Sequence, residues 1–147
     1  MKKYIITDEL QKLIDWDNIM EMDRCAGGHD DQMKGLFMNA KVIGHWNEGD
    51  YQGMVATCVM LTDGRFVIYN DFYGSCSGCD SWECASDEDV ETMCINLANG
   101  AYVFKSIEDV KIFLKDTTNE NIDGNFDWFH NTACSMGLLN AIESECS

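Results

Sequence analysis

Cys76, Cys79, Cys84 and Cys94 fall as C-x2-C-x4-C-x9-C. Two cysteines separated by two residues of turn can aim both sulfurs at one ion, and Gly78 eases the backbone of that turn. Four thiolates at about 2.3 Å complete a closed tetrahedral zinc site, so the spacing predicts structural zinc on Cys76, Cys79, Cys84 and Cys94. Cys94 also lies on an apolar helical stripe, so a place in the core is equally open to it. His130 and Cys134, one helical turn apart, are the main alternative for closing the site, with His45 and His29 behind them. Asp80 suits zinc less well than sulfur does. Cys25, Cys58, Cys134 and Cys146 read as ordinary thiols, because a free cysteine behaves as a small hydrophobe.

The same C-x-x-C could do redox chemistry. A strand running into C-x-x-C and then a helix has the thioredoxin layout, in which a helix N-terminus stabilises the attacking thiolate. That family sets a cis-proline beside its dithiol, and this chain contains no proline. A thiol oxidoreductase using Cys76 and Cys79 is therefore the lesser alternative. Zinc deaminases resemble H-x-E followed by P-C-x-x-C, and neither the H-x-E nor the proline is present. No H-E-x-x-H, G-x-S-x-G or Walker-type loop occurs either. The expectation is a non-enzyme with no catalytic residues.

A hairpin must position the first two cysteines. Tyr51 to Leu61 and Arg65 to Tyr73 are rich in β-branched and aromatic residues, and Asp63-Gly64 between them suits a two-residue type I′ turn. Pairing Thr62 with Arg65 then sets Cys58 opposite Tyr69 and Tyr51 opposite Cys76. Two capped helices follow: Ser86 and Asp89 precede the stripe Val90, Met93, Cys94, Leu97 and Ala98, and Ser106 and Asp109 precede Val110 and Leu114. Ala101 to Phe104 suits a further strand. Upstream, Thr7 suits the cap of one helix carrying Leu10, Leu13 and Ile14 and fading near Gly27-Gly28, and residues 32–46 read as an apolar segment of helical character. The tail is aromatic at Phe126, Trp128 and Phe129 and helical later. Together these predict an α+β fold: a small antiparallel sheet built on a central β-hairpin, covered by helices and stabilised by zinc.

With 147 residues, 46% of them hydrophobic, the chain suits one domain with one real core, residues 1–147. Its 26 acidic against 10 basic residues give a formal charge of −16. Such a surface opposes direct nucleic-acid binding, which depends on basic side chains releasing counterions, and opposes docking on anionic membranes. A basic partner is what it favours. Nothing approaches the roughly 20 apolar residues of a spanning helix, and the start is a poor signal peptide, so the expected location is cytoplasmic.

Tyr51-Gln52-Gly53, the hairpin, and Gly74-Ser75-Cys76-Ser77-Gly78-Cys79-Asp80 resemble a group of small phage and prophage proteins marked by Y-Q-G and G-S-C-S-G-C-D patterns. The resemblance spans about residues 50–115 and implies no reaction. The whole profile, short, strongly acidic and without an enzyme motif, is similar to anti-CRISPR proteins that inhibit type II RNA-guided DNA nucleases. That resemblance implies a phage-encoded DNA mimic acting in the cytoplasm of an infected host, bound to the basic surface of a CRISPR effector nuclease. The densest acid, six residues without a base between Asp80 and Glu91, makes Glu83, Asp87, Glu88 and Glu91 the candidate partner-binding residues. A helix start stabilised by its own carboxylates is the local alternative for that run. A zinc-stabilised module for another host protein shares all these features.

Overall fold

The computed structural model describes residues 7–21, 28–47, 53–73, 86–115 and 132–146. In chain order these form α1 (Thr7–Lys12), α2 (Trp16–Glu21), α3 (Gly28–Lys34), β1 (Lys41–Asn47), β2 (Gly53–Met60), β3 (Phe66–Tyr73), α4 (Asp87–Asn99), β4 (Tyr102–Phe104), α5 (Ile107–Lys115) and α6 (Thr132–Cys146). The four strands make one antiparallel sheet in the order β1-β2-β3-β4. The α+β class and the covering helices are as the sequence predicts.

Both faces of this sheet are buried. Val55, Val59, Val67, Tyr69 and Val103 point into a core shared with Leu10, Ile19, Met33, Val90, Cys94 and Leu97 from α1 to α4. Ala56, Cys58, Ile68, Tyr102 and Phe104 point the other way, against Val110, Phe113 and Leu114 of α5 and Leu138, Leu139 and Ile142 of α6. Two-sided burial explains why Val55 to Val59 is an unbroken buried run instead of an apolar–polar alternation. On the α5–α6 side, Phe113 lies 4.7 Å from Tyr102 and 5.3 Å from Phe104, centroid to centroid.

The hairpin forms where expected, but one residue out of the predicted register. The Gly64 N–H donates to the Leu61 carbonyl at 3.0 Å, and the Leu61 N–H to the Arg65 carbonyl at 2.8 Å. Thr62, Asp63 and Gly64 are therefore a three-residue loop, a type I turn closed by glycine in a bulge. A type I′ turn needs positive φ at both central residues, and here only Gly64, at φ 90°, has it. The Asp63 carboxylate accepts from the Arg65 backbone N–H at 3.0 Å and from its Nε at 2.8 Å, which holds the looser turn. These bonds also keep the Asp63 carboxyl below its ordinary range. Cys58 consequently stands opposite Ile68, and Thr57 opposite Tyr69.

The helix starts at Ser86 and Ser106 form as read. Ser86 Oγ accepts from the Asp89 N–H and the Asp89 carboxylate accepts from the Ser86 N–H, both at 3.2 Å. Ser106 Oγ accepts from the Asp109 N–H at 3.2 Å. Ala101–Phe104 contributes the edge strand β4, and the end of the chain is helical. Two upstream expectations are corrected. The first helix is broken into α1 and α2, because Ile14 bridges to Phe37 and Asp15 starts a new helix, its carboxylate accepting from the Asn18 N–H at 3.3 Å. Residues 32–46 are not one helix: α3 ends at Lys34, and Lys41–Asn47 is strand β1, whose pairing with β2 is worth more to these residues than an isolated helical turn.

The α6 helix docks across β1 through two glycines. A Cβ on Gly44 would stand 2.7 Å from Ile142 Cγ1 and 3.0 Å from the Ile142 backbone nitrogen, and a Cβ on Gly137 would strike the Trp46 ring. Gly44→Ala should therefore lower stability by about 1–3 kcal/mol, read in urea melts. Gly64→Ala, where no atom lies within 4 Å, should lose about 1 kcal/mol through backbone strain alone.

Candidate functional site

Across the centre of the sheet, on the face under α3 and α4, the pairing sets His45, Thr57 and Tyr69 side by side on β1, β2 and β3. Thr57 is fully buried and its Oγ1 lies 2.9 Å from His45 Nδ1. Asn47, Val55 and Asp71 form the next row, further from the hairpin turn. In the opposite direction the same face is purely aliphatic, through Val59, Val67 and Val103. Polarity thus increases along this face towards the end of the sheet where β3 stops at Tyr73 and the chain departs into the C-x-x-C.

Two α3 residues reach into this polar region. The Tyr69 hydroxyl donates to the Met33 carbonyl, and Gln32 Nε2 donates to Cys94 Sγ at 3.2 Å. Gln32 is completely buried and its Oε1 has no hydrogen-bond partner. Phe37 closes the region with its ring edge-on to Tyr69, the centroids 5.4 Å apart. Burial pushes the Tyr69 hydroxyl well above the ordinary tyrosine value, and the Cys58 and Cys94 thiols reinforce this. Burial likewise raises the Cys94 thiol; the Gln32 bond offsets part of that, and the Asp71 charge adds to it. Both groups are thereby held neutral.

Of the expected zinc ligands, only Cys94 is among the described side chains. It is fully buried on α4 beside Val90, Leu97 and Ala98, as the apolar stripe implied. The Gln32 bond and the surrounding apolar side chains give Cys94 a place in the core. Cys76, Cys79, Cys84 and Glu83 lie outside the described residues, as do Cys25, His130 and the aromatic residues of the tail. The backbones of His29, Cys134 and Cys146 belong to α3, α6 and α6. Cys58 is buried on the α5–α6 side. Among the described residues no group of three His, Cys, Asp or Glu side chains is placed to hold a metal ion. No helix there is long and apolar enough to cross a membrane.

The acid is unevenly distributed between the two layers. Among the described side chains of α1 to α4 and their junctions, Asp15, Asp17, Glu21, Asp31, Asp87, Glu88, Asp89 and Glu91 are exposed or half-buried, against Lys12 and Lys34. In the α5–α6 layer and its approach, Glu108, Asp109 and Glu143 are balanced by Lys105, Lys111 and Lys115. Asp87, Glu88 and Glu91 occupy one sector of about 100° on α4, and all three are exposed. That Asp17, Glu21 and Asp31 are also exposed, on helices of the same side of the sheet, was not read from the sequence. Gln32 was missed as well: a glutamine on a short helix has no sequence signal that distinguishes burial from exposure.

Comparison with protein-family models, with curated proteins and with solved structures finds no match.

Tyr69→Phe removes the donor to Met33 and should cost about 1–2 kcal/mol in urea unfolding. The hydroxyl also sets an alkaline limit. Its folded value lies above its unfolded one, so its contribution is complete below about pH 10 and is lost as pH rises towards the folded value. Tyr69→Phe should accordingly lose less stability than the parent between about pH 10 and 11, measured by urea titration at each pH.

Proposed function

We propose that this chain is a non-enzymatic inhibitor of anti-CRISPR type, phage-encoded, which sets its acidic α1–α4 layer on the basic nucleic-acid channel of a host RNA-guided DNA nuclease. The observation that carries the proposal is the charge asymmetry among the described side chains: eight carboxylates against two lysines on the α1–α4 side, and three against three on the α5–α6 side and its approach. A surface of that kind is steered to a basic channel, where it competes with guide or target strands for the same lysines and arginines. Asp87, Glu88 and Glu91 present carboxylates along one helix flank, an arrangement suited to arginine pairs. The protein partner is read as the binding surface, with no direct contact to nucleic acid.

A structural zinc ion belongs to the same proposal, with Cys76, Cys79 and Cys84 as ligands and a fourth from the tail, His130 or Cys134. The first three fall between the end of β3 and the start of α4, so the metal would tie the sheet to the acidic helix. Its role is shape, because thiolate-rich zinc sites are closed to substrate. Cys94 keeps its core role here, since its thiol already serves Gln32.

Two measurements test this. Purified type II nuclease should cleave DNA more slowly with the protein present, and undiminished cleavage across several such enzymes overturns the inhibitor reading. Reversing Asp87, Glu88 and Glu91 to lysine should weaken the effect at least tenfold with unchanged melting temperature; unchanged inhibition would confine these residues to the helix start. Element analysis should find zinc that Cys76→Ala or Cys79→Ala abolishes and that Cys94→Ala and Cys146→Ala retain. Loss in Cys94→Ala would return Cys94 to the ligand set.

A further inference from the structure

We infer that α3 is a latch over the Cys94 thiol, one that opens as a local unit while the sheet and the other helices remain folded. Among its described side chains the attachment is slight for a helix lying on a core. Of the side chains described from Asp31 to Lys34, Asp31 and Lys34 are exposed, and the buried pair is Gln32 and Met33. One of that pair is a polar amide. Its Nε2 bonds Cys94 Sγ, a weak acceptor, while its Oε1 is shut away from water without a partner. Closing α3 therefore strips solvent from an amide that the core only half satisfies, and opening returns that solvent. The helix has seven residues, too few to hold its form without packing.

The segment that follows is anchored much better. The Asp15 N–H donates to the Leu36 carbonyl and the Met38 N–H to the Leu13 carbonyl, both at 2.8 Å, across the bridge between Ile14 and Phe37. Leu36 and Phe37 are buried. Gly35, between the weak helix and this pinned segment, is the natural pivot, and Asn18 Nδ2 holds its carbonyl at 3.3 Å. Among the described residues, swinging α3 about Gly35 breaks two side-chain bonds, Gln32 to Cys94 and Tyr69 to Met33, and leaves the strand pairing intact. The open form presents a thiol, flanked by the Tyr69 hydroxyl, to small thiol-directed reagents. Regions with few apolar contacts open at lower free energy than the whole fold, and α3 fits that description better than α6 with its buried Leu138, Leu139 and Ile142.

Cys58 supplies an internal reference, being an equally buried thiol on the other face of the sheet. The test is iodoacetamide labelling of the native full-length protein, followed peptide by peptide, with rates normalised to those of the urea-unfolded chain. At each site the thiolate sulfur displaces iodide, and its proton passes to the buffer. Cys94 should be alkylated at least tenfold faster than Cys58, with little dependence on low urea, whereas the Cys58 rate should climb steeply with urea. Equal normalised rates with equal urea dependence would mean that both thiols wait for global unfolding, and would overturn the latch. Gln32→Leu, which removes the half-satisfied amide, should slow Cys94 labelling roughly tenfold; an unchanged or faster rate would overturn the role given to Gln32. If Gln32→Leu fails to fold, amide hydrogen exchange of the parent decides the matter, with α3 amides exchanging faster than those of α4 if the latch exists and equally if it does not.

Discussion

A four-stranded sheet with no solvent face is the constraint on which everything else here depends. Once both faces are buried, each strand must be apolar along nearly its whole length, and a helical layer must be supplied on each side. The α6 helix meets this demand by approaching β1 so closely that Gly44 and Gly137 are needed where the two backbones and the Trp46 ring meet. On the opposite side α4 is joined by three short helices. The break between α1 and α2 lets Ile14 pair with Phe37 and sends both into the same core.

The α5–α6 side is filled by aromatic and aliphatic groups, with Tyr102, Phe104 and Phe113 in mutual contact. Both sides bury hydroxyl and thiol groups, Tyr102 and Cys58 on this one and Thr57, Tyr69 and Cys94 beneath α3 and α4, and the Gln32 amide joins the latter. A buried polar group that lacks a hydrogen bond is unfavourable in proportion to its desolvation, so Gln32 is a place where the core is incompletely satisfied. The same low-dielectric surroundings keep Cys94 and Tyr69 uncharged.

Charge follows the layers too. The long, apolar-faced α4 begins in a run of carboxylates that the Ser86–Asp89 capping box and the helix dipole accommodate, and α1 packs beside it. Among the described side chains, the α1–α4 side carries a clear excess of carboxylates and the α5–α6 side is nearly balanced.

Some of this architecture was legible in residue order. Ser86-x-x-Asp89 and Ser106-x-x-Asp109 announce helix starts because capping is local, satisfied within four residues whatever the rest of the chain does. The hairpin was legible for the same reason, as Asp63-Gly64 lies between two β-rich runs. Its register was not. With Val55 to Val59 buried throughout, no alternation remained to betray a slip of one residue. The choice passed to the Asp63–Arg65 contacts and to a single positive φ at Gly64. β1 was hidden because an isolated stretch such as Lys41–Asn47 gains its strand character only from pairing with β2. The stripe on α4 located Cys94 in the core without revealing its amide partner, Gln32, 62 residues earlier in the chain. Local chemistry, in caps, turns and apolar periodicity, was thus determined by the sequence alone. Register and the polar contacts of the core were decided by tertiary structure, because each depends on groups brought together from far along the chain.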